Sequence, residues 1–108
     1  MASGTLTRVK ALAAEGKVRI SDHGYDELAN DDILVIDVLD GVQSAILVED
    51  YPEFGKGPSV LALQQDSASR PMHVVWGIPK GRAEPAVVVT AYRPDLSRWS
   101  SDFMKRKT

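Results

Sequence analysis

Apolar residues recur at helical spacing through roughly the first forty positions; beyond them they alternate or run together. In LTRVKALAA, residues 6–14, Leu6, Val9 and Leu12 fall on one stripe. That spacing predicts a helix, with Thr5 or Thr7 available as N-cap and Gly16 as its stop. KVRI at 17–20 reads as a short extended piece. A second helix is predicted from about Asp22 to Ala29, broken by Asn30-Asp31-Asp32. Asp31 can cap a third helix, DILVIDVLD, whose Ile33, Ile36 and Leu39 share a stripe and which Gly41 ends.

After Gly41 the period changes to that of strands. SAILVEDY (44–51), SVLALQQD (59–66), PMHVVWGI (71–78) and PAVVVTAYR (85–93) are four β-rich segments. PEFGKGP, SASR and PKGRAE connect them, and the last two are short enough for hairpins between antiparallel neighbours. PDLSRWSSDFMKRK follows as a short tail with some helical character. The expected fold is one α+β domain over residues 1–108: N-terminal helices packed on one face of a four-stranded, mostly antiparallel sheet. Strand alternation puts Met72, Val74, Trp76 and Ile78 on the core face and His73, Val75 and Gly77 on the other. In the last strand, Val87, Val89 and Ala91 oppose Val88, Thr90 and Tyr92. With helices on one side only, His73, Thr90 and Tyr92 can line the open side together.

Composition alters this picture little, and charge somewhat more. A hydrophobic fraction of 44% and a charged fraction of 26% are ordinary for a globular protein. No apolar run reaches the roughly 20 residues needed to cross a bilayer. The first residues lack the basic start and long apolar core of a signal peptide, so the expected location is cytoplasmic. With no cysteine, disulfides, thiolate nucleophiles and Cys-based zinc sites are excluded. The net charge of −2 combines −7 over residues 1–54 with +5 over residues 55–108. The second half can therefore present a basic surface, unless the two halves interleave and cancel.

Candidate chemistry centres on the two histidines. His23 falls in the first turn of the second helix, where free N–H groups disfavour imidazolium, so it can act as a neutral base. A capping residue bonded to backbone is the plainer account. His73 and Tyr92 have the plainer account of strand residues packing on a half-exposed face. Lys80, Arg82 and Arg93 lie at strand ends and turns, where guanidinium and ammonium groups can hold phosphate. Asp26 and Glu27 lie close to His23, and Glu49 and Asp50 end the first long strand; such carboxylates are commonly surface charge. The histidines lack HxH, HxxxH and HExxH spacing, so no metal site is expected. GKGP at 55–58 is not a phosphate loop, and no Gly-x-Ser-x-Gly elbow is present.

ISDHGYDEL, DDILVIDVLDG, ILVEDYPE, GPSVLALQQ, RPMHVVWGI and VVVTAYRPD, taken in order, resemble domain-of-unknown-function family 4258 over about residues 17–95. The His-Val-Val and Thr-Ala-Tyr elements are the most specific parts. That family is similar, at fold level, to the small RelE- and BrnT-like toxins, which are metal-independent endoribonucleases neutralised by an antitoxin. The resemblance implies an RNA-cleaving site on the sheet, with His23, His73 and Tyr92 as catalytic groups and no cofactor. It also implies that Thr90, Lys80, Arg82 and Arg93 bind substrate. In the implied mechanism a ribose 2′-OH attacks the adjacent phosphodiester while paired acid, base and cation assist. The implied partners are RNA and an antitoxin-like protein, with a homodimer as a further candidate. Where the family carries arginines after its first histidine, this chain has acidic HGYDELANDDI, so RNA contact would fall to the basic second half. The alternative reading is a non-catalytic interaction domain whose sheet edge pairs with a partner.

Overall fold

A computed structural model describes residues 3–107. Its order is α1 (Gly4–Ala14), β1 (Val18–Ile20), α2 (Asp22–Asn30), α3 (Val35–Gly41), a 3₁₀ turn, β2 (Ile46–Tyr51), β3 (Ser59–Gln65), β4 (Pro71–Gly77) and β5 (Ala86–Tyr92). The strands form one sheet in the order β1-β5-β4-β3-β2.

The expected four-stranded antiparallel sheet of RelE/BrnT type is therefore incorrect: the sheet has five strands and is mixed. The difference comes from the KVRI segment. Val18, Arg19 and Ile20 pair in parallel with Ala86, Val87 and Val88, placing β5 inside the sheet instead of at its edge. The remaining neighbours, β2·β3, β3·β4 and β4·β5, are antiparallel.

Leu6, Val9 and Leu12 of α1 are buried as their spacing predicts, but Ser3 is the cap. Its hydroxyl accepts from the Leu6 N–H and donates to Asp50 on β2. In α2 the Ser21 hydroxyl accepts from the Gly24 N–H at 2.9 Å and donates to the Val89 carbonyl at 3.1 Å. One side chain thus starts the helix and fixes it to β5. α3 begins later than expected, at Val35, without a side-chain cap. Asp31 instead accepts the Arg93 N–H at 2.7 Å. The later start adds Val38 and Val42 to the buried set and leaves Ile36 exposed, while Ile33 is buried and Leu39 packs partly buried against the core as expected.

All three helices contribute to a core on one sheet face. Met72, Val74 and Trp76 of β4, Val60 and Ala62 of β3, and Ala86, Val88 and Ala91 of β5 meet Leu6, Val9, Leu28 and Val38 there. Trp76 donates its indole N–H to Gln64 at 2.8 Å, and the Gln64 amide donates to the Val38 carbonyl at 2.9 Å. Both polar groups buried in this core are therefore satisfied.

β5 departs from simple alternation. The register runs Val75↔Thr90 and then Trp76↔Val88, so Val89 is an extra, bulged residue. The bulge puts Val88 on the core face with Ala91, against the expected grouping of Val88 with Thr90 and Tyr92. Beyond β5 the tail forms turns closed by a bridge between Trp99 and Arg106, without a helix. Thr108 lies outside the described residues.

Candidate functional site

The cross-strand register builds the open sheet face row by row. One row is Ile46, Leu63, His73 and Tyr92; the next is Glu49, Leu61, Val75 and Thr90; the third is Tyr51, Ser59, Gly77 and Val87. His73 and Tyr92 are thus directly opposed, and Thr90 shares their face.

The tail crosses the His73 end of this face. His73 is fully buried although it does not belong to the helical core. Its Nε2 lies 2.8 Å from the Phe103 carbonyl and its Nδ1 lies 3.2 Å from the Tyr92 hydroxyl. A carbonyl only accepts, so Nε2 carries the proton and Nδ1 accepts the Tyr92 O–H. The Trp99 ring meets the imidazole edge-on with centroids 4.4 Å apart. Arg106 lies over the other part of this cluster, 4.8 Å from the Trp99 ring centroid. It donates twice to Glu49, at 2.8 and 2.9 Å, and Glu49 also accepts from the Tyr51 hydroxyl.

These contacts set the protonation states. Burial lowers the His73 pKa, against the opposing influence of the Phe103 carbonyl and Glu49. Burial raises that of Tyr92, keeping it a phenol. The Arg106 hydrogen bonds hold Glu49 below the usual carboxylate range.

His73 thereby couples folding to pH. The unfolded chain takes up a proton at this residue near pH 6.5, whereas the folded chain resists until lower pH. The stabilisation is complete above about pH 6.5 and declines as pH falls below that value. The groups facing the imidazole are Tyr92, Glu49 and Arg106; in the folded protein all three hold their charge states through this range. Urea titrations between about pH 7.5 and pH 5 are expected to show falling stability, with a smaller slope in His73→Gln; equal slopes would contradict the assignment.

The other expected site residues are distributed. His23 is 65% exposed on α2 and lies 3.7 Å from Glu27, one turn on. α2 runs along the edge of β5, with Gly24 against the Val88 carbonyl and Leu28 entering the core. His23 is exposed beside Glu27, while buried His73 is enclosed by Tyr92, Trp99 and Phe103, so the two histidines do not share a cluster. Lys80 and Arg82 sit in the exposed turn before β5, separated from Tyr92 by the strand's length, roughly 20 Å. Arg93 is close to Tyr92 but largely covered, its side chain 24% exposed. It pairs with Asp66 at 2.9 Å and donates to the Pro71 carbonyl, whereas Arg106 stays mostly exposed while paired with Glu49. Asp66 also accepts the Ala68 and Arg70 N–H groups, and its pKa is lowered to about 2, chiefly by the Arg70 N–H.

In place of those turn cations, the tail supplies others. A concavity of about 840 Å³ opens beside Tyr92, lined by Arg93, Arg98, Trp99, Arg106 and Lys107. Asp95 is the acidic residue in its lining. Among the described residues, Arg98 and Lys107 have no carboxylate within ion-pair distance. Trp99, Arg98, Arg106 and Lys107 carry no strand period that would place them on this face; the available signals are the Arg98-Trp99 pair and the basic run Lys105-Arg106-Lys107. Among the described residues no three His, Asp or Glu side chains cluster as a metal site would require, and no helix is long and apolar enough to cross a membrane.

Fold and site together define a small α+β domain with an imidazole–phenol pair beside a basic concavity on one sheet face. The chain belongs to the family described as Domain of unknown function (DUF4258), whose model matches residues 20–93. No curated protein and no solved structure matches the chain.

Proposed function

We propose that the protein is a metal-independent endoribonuclease acting through Tyr92. The observation that carries this reading is the hydrogen-bonded chain Tyr92 O–H, His73 Nδ1, His73 Nε2–H, Phe103 carbonyl, with its phenol end in the basic concavity. A phosphodiester held by Arg98, Arg106 and Lys107 would bring a ribose 2′-OH to the Tyr92 oxygen. The phenol takes the 2′ proton while passing its own to His73 Nδ1. Burial and Arg106 oppose the imidazolium so formed; the Phe103 carbonyl and Glu49 offset this in part, so that it gives the proton up again after turnover. The 2′ oxygen bonds to phosphorus, the P–O5′ bond breaks, and water protonates the departing oxygen. The products are a 2′,3′-cyclic phosphate and a 5′-hydroxyl. The guanidinium groups stabilise the charge that develops on the phosphorane. Glu49 and Trp99 hold Arg106 in place. His23 takes no part, and the acidic α2 residues Asp26 and Glu27 do not line the concavity.

The test is cleavage of end-labelled, unstructured RNA in EDTA, with analysis of the ends formed. Tyr92→Phe keeps the ring but removes the relay, and is expected to lower the rate by about 10²–10⁴-fold. Because it also leaves the buried His73 Nδ1 without its donor, at a cost of about 1–3 kcal/mol, rates are compared where urea titration shows the variant fully folded. Absence of cyclic-phosphate ends with the unaltered protein, or full activity in Tyr92→Phe, would reject the reading.

A further inference from the structure

β1 is an edge strand only three residues long, and its environment is that of a strand awaiting a neighbour. Its parallel ladder with β5 is framed by Ala86 N–H to Lys17 carbonyl and Ser21 N–H to Val88 carbonyl, both 3.0 Å. In a parallel pair alternate residues turn their polar groups to the partner. Lys17, Arg19 and Ser21 therefore face β5, and the N–H and C=O groups of Val18 and Ile20 point outward. Among the described residues none of those outward groups has a backbone partner.

An apolar cleft flanks this edge on each face of the sheet. On the helical side, a cleft of about 450 Å³ is lined by Val18, Ile20, Tyr25, Val35 and Leu39. On the open side, one of about 440 Å³ is lined by Arg19, Val75, Val87 and Val89, with Tyr51 and Phe54 across it. The bulge in β5 leaves Val89 38% exposed there. Arg19 is exposed and has no carboxylate within ion-pair distance among the described residues.

We infer that β1 is a docking edge for an extended segment of a partner polypeptide, which adds a sixth strand to the sheet. The partner's chemistry follows from the edge. Its backbone bonds to Val18 and Ile20, alternate side chains enter the Tyr25 and Val89 clefts, and a carboxylate stands opposite Arg19. A second copy of this chain is the poorer match, because two-fold antiparallel pairing of β1 with itself sets Arg19 against Arg19, Lys17 or Ser21 according to register and never against a carboxylate. The edge lies at the start of β5, away from Tyr92, so the inference does not rest on the ribonuclease reading.

The test is an amide-resolved NMR titration of the whole protein with the capped peptide Lys-Leu-Val-Glu-Val-Leu-Lys. Saturable shifts centred on Val18, Ile20 and Tyr25 are expected. They should be lost when the bonding-edge amides of the peptide are N-methylated. Arg19→Glu should weaken binding by about tenfold, with recovery when the peptide glutamate is replaced by lysine. Three results would overturn the inference: no shifts at these amides, equal binding of the N-methylated peptide, or concentration-dependent shifts there without peptide. The last would assign the edge to self-association.

Discussion

Trp76→Ala is expected to lower the unfolding free energy by about 3–5 kcal/mol, measured by urea denaturation. The indole is fully buried among residues of β3, β5 and the helices, so truncation leaves a cavity that rigid strands cannot close. It also removes the donor to Gln64, whose amide bonds the Val38 carbonyl on α3. Trp76→Phe separates the two contributions. It restores much of the ring but leaves the Gln64 oxygen without its partner, a loss of about 1–3 kcal/mol. A phenylalanine variant as stable as the parent would show that the hydrogen bond adds nothing to the packing.

Gly24→Ala is expected to cost about 1–3 kcal/mol, more than an alanine usually costs inside a helix, where it ordinarily stabilises. A Cβ at this position would stand 2.7 Å from the Val88 carbonyl oxygen and 3.2 Å from the Ile20 side chain. The clash is with backbone, so α2 must lift from β5, and the Ser21 bonds to Gly24 and Val89 lengthen together. Faster hydrogen exchange at the Gly24 amide should accompany the loss in stability. An alanine variant with an unchanged midpoint would mean that α2 rides farther from the sheet.

The elements most legible in the sequence were those whose pattern is local. α1 could be placed from Leu6, Val9 and Leu12, and the faces of β4 from the alternation of Met72, Val74 and Trp76. β1 could be read as extended but not as part of the sheet, because three residues carry no usable period and their partner lies far along the chain. Val88 was assigned to the wrong face since a bulge is a property of pairing, invisible in one strand. Of the stripe expected in the third helix, Ile33 and Leu39 do meet the core, whereas Ile36 is exposed and Val38 is buried, because two apolar stripes compete in ILVIDVL and the late start of the helix selects Val38. In the site, His73, Thr90 and Tyr92 could be brought together by register alone. What covers His73 could not: the tail acts through a backbone carbonyl and through Trp99 and Arg106, none of which follows a periodic pattern. Residue type alone makes His23 their companion, but α2 lies along the edge of β5 and leaves His23 exposed beside Glu27.

The position of β5 inside the sheet has a consequence for how the chain acquires its structure. β5 is the last strand in chain order, yet among the described residues β1, near the beginning, pairs with no other strand. Ser21 and the Val89 carbonyl that it bonds are 68 residues apart. During synthesis α1, β1 and α2 therefore emerge well before the strand that completes their surroundings. Such distant pairing carries a large loop-closure entropy and slows folding relative to a helical chain of similar size. The edge of β1 that will face β5 and the apolar side of α2 remain uncovered meanwhile, an interval in which a chaperone or a binding partner can reach them before the sheet closes.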